Sequence, residues 1–457
     1  MEMSELTALL TREGLTLLDE TGSVETSADV ARAVSRLRAA GHSPDLVSAV
    51  VGQAHLRVKA RAKFGEFADR MLFTRAGLEQ ATRLNIATLH AVRMRRSGIT
   101  AVSDLGCGIG GDSLAFAAAG LEVTAVDADA VTAGIAAYNL APFGDDVAVR
   151  QGFAEDNLPA SWVAESGPRA SEAPADAKRP VEWGVGSEAR NTGWVAEALE
   201  APGEAENEDP SRASGTQPRS GTQAQAVWLD PARRTAGHSE TRRLTASDWS
   251  PSLDWCFEVA RRHPAGIKLG PGLDRDLIPD DVEAQWVSAD GSVVELVLWS
   301  GALAREGVRR AALVVHGGQT HELTAPADAE DVPVRPLGAF LHEPDGAVIR
   351  ARLIGDAGRM LDAGMLDEQI AYLTGDAAVT SPFVQSFRVR ETMPAHAKTI
   401  STALRAHDIG RLEIKKRGMD IDPAAFRKKL SLKGSQEATL ILTRTAAGRI
   451  AILADRA

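Results

Sequence analysis

Apolar residues recur at three- and four-residue intervals along 28–40, 43–67 and 78–96, with few Gly or Pro interruptions, and this spacing predicts amphipathic helices. Residues 1–96 therefore read as a helical lead-in region. From Thr100 the pattern changes to short β-branched runs alternating with Ala-rich helical stretches: 101–105, 112–119, 122–126, then a strand at 146–150. Such alternation builds βαβ units and a mostly parallel sheet. It resumes at 226–230 and continues through a helix at 253–262 and a strand at 265–269. Two alternating runs, 284–288 and 293–299, flank Asp290-Gly291, a dipeptide that favours a tight hairpin. Strands at 311–316 and 386–391, helices near Gln369 and at 395–406, and strands at 437–443 and 449–453 predict a second α+β unit. The expected domains are 1–96, 97–305 and 306–457.

Residues 160–225 interrupt this order. They are rich in Gly, Pro, Ser, Ala and Glu without a sustained period, too poor in apolar surface to offset chain entropy, so a disordered insertion is expected. Trp162, Trp183 and Trp194 would pin parts of it to the body or to a partner.

Composition narrows the setting. At 457 residues and 44% hydrophobic content the chain suits two or three domains with a large core. Cys107 and Cys256 are too few for a disulfide framework or a cysteine-based metal site, and fit a reducing compartment. The N-terminus lacks a basic start followed by an apolar core, and no apolar run reaches about 18 residues. A cytoplasmic protein with no membrane span and no metal is expected. The net charge of −11 excludes a uniformly basic nucleic-acid binder, but the charge is uneven. Residues 57–96 hold ten Lys/Arg against three acids and 405–434 nine against four, while 160–226 hold eleven acids against six bases. Two basic regions offset by an acidic one suit either a local anionic partner or solvated helix faces.

Asp104-Leu105-Gly106-Cys107-Gly108-Ile109-Gly110-Gly111-Asp112 lies between a predicted strand and a predicted helix. Its glycines permit positive φ and a close backbone approach to a ligand at the carboxyl edge of the sheet. Asp104 and Asp112 bracket the loop, which disfavours a pyrophosphate and suits a cation. Asp127 closes the next strand, twenty-one residues after Gly106, where a carboxylate accepts both hydroxyls of a ribose. A cationic nucleoside is the ligand these features describe, with Asp104, Gly106, Cys107, Gly108, Gly110, Asp112 and Asp127 as contacts. Cys107 fits the turn as a small residue rather than a nucleophile. For Asp112 a plain helix-start role stays open. After the third strand, Phe153 occupies the position from which an acid would reach an adenine amine, leaving Glu155 or Asp156 to substitute.

Trp228-Leu229-Asp230-Pro231-Ala232-Arg233-Arg234 follows the fourth predicted strand, which a doubly wound sheet sets near the first. The Asp230 carboxylate and the carbonyls of a turn stiffened by Pro231 suit an amine acceptor, and Arg233 offers a plane for stacking on a base or a grip on phosphate. Lys268-Leu269-Gly270-Pro271-Gly272 ends the next strand, as a further cation near the substrate or as a turn.

These residues resemble class I S-adenosylmethionine-dependent methyltransferases with a C-terminal THUMP-like domain. The resemblance rests on residues 104–127 and 230–233, on Glu413-Ile414-Lys415-Lys416-Arg417-Gly418, and on Arg427-Lys428-Lys429-Leu430. It implies an α/β fold: a Rossmann-like methyltransferase sheet, closed by an antiparallel hairpin, with an N-terminal helical region and a C-terminal α+β THUMP-like domain. The implied cofactor is S-adenosyl-L-methionine. More distantly, Phe73, Thr82, the glycine loop and Phe116-Ala117 resemble trimethylguanosine synthases, which methylate the guanine exocyclic amine; Gln80 and Thr82 sit where that group's preceding helix contacts cofactor. In amino-methyltransferases an Asp/Asn/Ser-Pro-Pro-aromatic turn binds the acceptor amine and stacks its base. Here Asp230 and Pro231 match, while Ala232 replaces the second Pro and Arg233 the aromatic, so stacking falls to Arg233, Phe73 or Trp228. THUMP domains bind RNA, which implies phosphate contacts from Lys415, Lys416, Arg417, Lys428, Lys429 and Lys433, with Arg234 and Lys268 on the substrate side of the catalytic unit. The expected partner is tRNA or rRNA. Two other readings stay distinct: a small-molecule or protein methyltransferase, and a non-catalytic module that binds the cofactor or RNA.

Overall fold

Hydroxyl side chains open most of the N-terminal helices. Thr11, Thr26, Ser43 and Thr74 each accept a backbone N–H at a helix start, and these caps delimit α2 (Arg12–Thr21), α3 (Ser27–Ala39), α4 (Pro44–Phe64) and α5 (Arg75–Gln80). A short α1 (Met3–Leu9) precedes them and α6 (Leu84–Arg96) follows. The computed structural model describes residues 1–159, 162, 224–233, 249–430 and 432–457. Nearly all of the expected insertion, with Trp183 and Trp194, lies outside the described residues. The chain divides into two compact units, Met1–Lys268 with Ser300–Leu303, and Leu269–Trp299 with Ala304–Ala457.

In the first unit, the helix expected over 78–96 is two helices. Ala81 takes ψ 138°, and the Lys63 ammonium donates to the carbonyls of Leu78, Glu79 and Ala81 at 2.8, 2.7 and 2.7 Å. These are carbonyls a helix end leaves unpaired, so the lysine stabilises the break. Five parallel strands follow in the order β3-β2-β1-β4-β7: β1 (Ala101–Leu105), β2 (Glu122–Asp127), β3 (Val147–Gln151), β4 (Gln225–Leu229) and β7 (Ala265–Leu269). Between the last two, β5 (Ala232–Arg233) and β6 (Trp249–Ser250) make a small antiparallel pair. The connecting helices are α7 (Gly111–Ala118), α8 (Ala130–Leu140) and α9 (Leu253–Arg262). Strand β7 is buried along its whole length and β1 and β4 almost so, as expected where helices cover both faces of a parallel sheet.

In the second unit, β8 (Glu283–Ala289) and β9 (Ser292–Ser300) form the expected hairpin, with Asp290 and Gly291 both at positive φ, 49° and 79°. Strand β10 (Arg310–His316), expected to open the second α+β unit, joins the hairpin rather than the C-terminal sheet. It pairs in parallel with β8, and β11 (Gln319–Ala325) pairs antiparallel with β10. The C-terminal sheet has the order β13-β14-β12-β15-β18-β17-β16. Its strands are β12 (Phe340–Pro344), β13 (Gly364–Asp367), β14 (Ile370–Gly375), β15 (Val384–Pro394), β16 (Ile409–Lys416), β17 (Gln436–Thr445) and β18 (Gly448–Arg456). Helices α10 (Gly346–Arg350), α11 (Ile354–Met360), α12 (Ala397–Ala406) and α13 (Pro423–Arg427) complete it. Gln369, expected in a helix, lies in the β13–β14 turn, where its N–H is held by Asp367 at 3.0 Å. Successive side chains of β17 serve opposite faces: Leu440 and Leu442 pack with Ile400 and Leu404, whereas Ile441 packs with Tyr372 and Phe387. Among the described residues, no helix is long and apolar enough to cross a membrane.

Buried Asn139 on α8 joins the helical region to the loop after β1. Its oxygen accepts from Leu72 N at 2.8 Å, and its amide donates to Leu72 O at 3.0 Å and Ile109 O at 2.9 Å. Asn139→Ala should therefore cost about 2–4 kcal/mol, since it strands buried backbone groups, an expectation checked by the denaturant midpoint; a loss below 1 kcal/mol would contradict it.

Candidate functional site

The loop after β1 is bent by three glycines at positive φ: Gly106 (99°), Gly108 (56°) and Gly110 (84°). At Gly106 a side chain is excluded twice over, because a Cβ there would also lie 2.9 Å from the carbonyl oxygen of Asp230. A Cβ on Gly108 would meet nothing within 4 Å, so this part of the loop borders open space. Gly106 and Cys107 both donate to Val126 O at 2.9 Å, which fastens the loop to the end of β2. There Asp127 accepts from Gly108 N at 3.0 Å and Asp129 N at 2.9 Å. Burial raises its carboxyl to about 6, against the pull of those two amides.

Asp104 is a buried acid inside a strand. Its Oδ2 accepts from Ser113 Oγ at 2.5 Å, while Oδ1 has no hydrogen-bond partner among the described residues. Burial, followed by the nearby charge of Asp112, raises its carboxyl to about 8. Such a group favours a positive charge brought beside it. Burial, then the charges of Asp104, Asp127 and Asp230, push the Cys107 thiol well up, which fits its reading as a packing residue.

Asp112, expected beside the ligand, faces inward. It accepts from Thr82 Oγ1 at 2.8 Å, His90 Nδ1 lies 3.0 Å away, and Lys268 Nζ approaches to 3.0 Å. Burial alone would raise its carboxyl, but Lys268, His90 and Thr82 together hold it well below the usual range. Lys268 is likewise not at a surface. Only 8% exposed, its ammonium meets Thr82 Oγ1 at 2.8 Å, Asp112 Oδ2 at 3.0 Å and Asp230 Oδ2 at 2.6 Å. Thr82 therefore belongs to this buried cluster, reached through the break between α5 and α6. His90 was not anticipated from sequence; its ring lies 4.6 Å from that of Trp228, centroid to centroid.

The remaining residues are dispersed. Asp230 keeps 35% of its side chain exposed, and Pro231 beside it is buried. Arg233 pairs through its backbone with Trp249, whereas Arg234 lies outside the described residues. Glu155 and Asp156 are exposed on a one-turn helix just after β3, next to Phe153, which is 64% exposed. In the second unit, Lys415 and Arg417 are turned onto Glu343 at 2.6 and 3.4 Å and over the rings of Phe387 and Tyr372. Lys416, Lys428, Lys429 and Lys433 are exposed without an ion pair among the described residues. In the first basic region Arg57 holds Met71 O and Asp19, Arg61 holds Asp69, and Lys63 and Arg93 bind carbonyls. Much of that region's charge thus serves the fold. No group of three or more His, Cys, Asp or Glu suited to a metal occurs among the described residues.

Residues 384–456 match the THUMP domain-like family, and residues 2–60 match a domain of unknown function (DUF8688). The chain is 29% identical over 423 residues to an uncharacterized S-adenosylmethionine-dependent methyltransferase of Mycobacterium tuberculosis, found in strains CDC 1551 / Oshkosh and ATCC 25618 / H37Rv. That similarity covers 91% of this chain and 96% of the relative. A crystal structure of a presumed methyltransferase from Porphyromonas gingivalis W83 superposes with a TM-score of 0.63 at 18% identity, covering 91% of this chain and 92% of the other. That likeness is one of fold.

The contact between Gly106 and Asp230 can be isolated. Gly106→Ala should cost roughly 1–3 kcal/mol from backbone strain and further stability from the clash with Asp230. Gly108→Ala, which meets open space, should carry the strain alone. Equal losses in paired denaturant titrations would contradict the close approach.

Proposed function

We propose that this chain, a class I S-adenosylmethionine-dependent methyltransferase with a THUMP-like C-terminal domain, methylates an exocyclic amine of an RNA base, guanine N2 being the first position to test. The observation that carries the reading is the approach of Asp230 to Gly106. The backbone carbonyl of Asp230 lies against the glycine loop, and its carboxylate, 35% exposed, is held by Lys268 at 2.6 Å.

The residues fit the cofactor. The open side of Gly108 leaves room for it, Asp127 ends β2 as a ribose acceptor, and Asp104 offers a buried oxygen without a partner among the described residues, in a site that favours positive charge. Cys107 and Gly110 shape the loop, and Glu155, Asp156 or Phe153 would meet the adenine. When bound, the sulfonium supplies the methyl group. Asp230 and the carbonyl of Pro231 would accept hydrogen bonds from the substrate amine and aim its lone pair, so that alignment and exclusion of water lower the barrier. Stacking on the base is assigned to Arg233, whose side chain lies outside the described residues. In this reading residues 1–96 belong with the catalytic unit at 97–305, and 306–457 bind RNA, in the cytoplasm, through Lys416, Lys428, Lys429 and Lys433.

Three measurements test this. Purified protein should transfer labelled methyl to tRNA or rRNA from a strain lacking the gene, and Asp230→Ala should lower that rate roughly 100-fold by misplacing the amine; no transfer to any RNA would end the RNA reading. Ribose hydroxyls donate to the ionised form of Asp127, so cofactor affinity should rise as pH increases through about 6. Asp127→Asn should abolish that dependence in calorimetry. Neutralising Lys416, Lys428 and Lys429 together should reduce the salt dependence of RNA binding, the slope of log K against log salt, by about 2. An unchanged slope would place RNA elsewhere.

A further inference from the structure

Among the described residues, three acceptors surround one buried ammonium, and one of these, Asp230, is partly exposed. Lys268 has three N–H bonds to give, and Thr82, Asp112 and Asp230 take positions around it at 2.8, 3.0 and 2.6 Å. Thr82 and Asp112 are 7% and 5% exposed and lock each other, with His90 behind Asp112. The lysine is thus anchored from behind and presents its remaining N–H forward. What it meets there is the carboxylate assigned above to the substrate amine.

We infer that Lys268 is a positioning residue for methyl transfer, holding Asp230 ionised and aimed as the hydrogen-bond acceptor of the substrate amine. The inference rests on the amine-acceptor reading of Asp230 for its role in transfer, while the charge coupling stands by itself. Asp230 needs such support. Asp127 on β2, ionised above about pH 6, interacts electrostatically with it and disfavours a further negative charge, while Asp104 on β1 and the Cys107 thiol, both pushed up, add to this only as pH rises further. Asp112 on α7 adds another carboxylate across the lysine, and Lys63 on α4 acts on Lys268 in turn. A cation at 2.6 Å opposes that crowd of acids. In the reaction, the amine nitrogen lone pair forms the bond to the methyl carbon and the carbon–sulfur electrons return to sulfur. The nitrogen then releases one proton, which Asp230 in its ionised form can accept and pass to water. A protonated Asp230 would lack that capacity.

The decisive measurement is the carboxyl-carbon NMR titration of Asp230, assigned with Asp230→Asn, in wild type, Lys268→Arg and Lys268→Met. Because Lys268→Met leaves Asp112 buried without its cation, Lys268→Met/Asp112→Asn serves as the folded companion. Asp230 should titrate about one unit or more higher in both Met variants and near wild type in the Arg variant. The acid limb of kcat/KM for RNA should move up with it, and kcat should fall roughly tenfold or more while cofactor affinity stays within about twofold. An unchanged Asp230 titration in the double variant overturns the inference, as does an unchanged acid limb. If wild-type protein methylates no RNA, the acceptor reading falls, and the titration still decides whether Lys268 controls Asp230.

Discussion

A single buried ammonium joins four separate pieces of the first unit. Thr82 comes from the break between α5 and α6, Asp112 from the first turn of α7, Asp230 from the turn after β4, and Lys268 from the end of β7. Taking a lysine out of water is costly, and here the cost is offset only because each of its protons finds an acceptor. Remove the lysine and two carboxylates lose the cation they share. The cluster therefore constrains geometry more than it adds net stability: the loop side of the sheet and the Asp230 turn cannot shift independently.

The glycine loop supplies the complementary constraint. Gly106 must remain without a side chain because its φ is positive and the Asp230 carbonyl lies against it. The loop itself is tied to the end of β2 through Val126 O and Asp127. Within this small volume three aspartates diverge in character according to their neighbours. Asp112, beside a lysine, is held ionised; Asp104, buried and without a cation in contact, is pushed up; Asp127, partly solvated and bound by two amides, lies between. Sites in which environment separates like groups in this way are suited to holding one charged ligand in one orientation.

How far the sequence disclosed this follows from what each signal depends on. Strands β1, β2, β4 and β7 and the glycine loop were legible because periodicity and glycine chemistry are local. The break at Ala81 was hidden because what stabilises it, Lys63, lies on another helix. Gln369 was misplaced for a related reason, since a turn anchored by Asp367 and two short strands carry little periodic signal. Strand β10 was recognised, but its pairing with β8 was not, because nothing in an alternating run says which neighbour it will join. At the site, Asp112 and Lys268 were both singled out, the first for a ligand or a helix start, the second for a substrate cation or a turn. Their attraction to each other spans 156 residues of sequence and is decided by the fold. His90, an isolated histidine on the buried face of α6, gave no signal of its own.

The same limit governs the basic run in the C-terminal sheet. Lys415-Lys416-Arg417 reads as one cationic stretch, yet side chains alternate along β16 and its extension. Lys415 and Arg417 share the face that carries Glu343, Phe387 and Tyr372, and their charges are taken up there. Lys416 points the other way and is exposed, as are Lys428 and Lys429 just beyond α13. An anionic partner of this unit would meet the second set, because an ion pair already formed on a partly buried face must be broken before it can be offered again. The sum of basic residues therefore overstates the available charge. What matters for binding is which half of the alternation the fold leaves facing water.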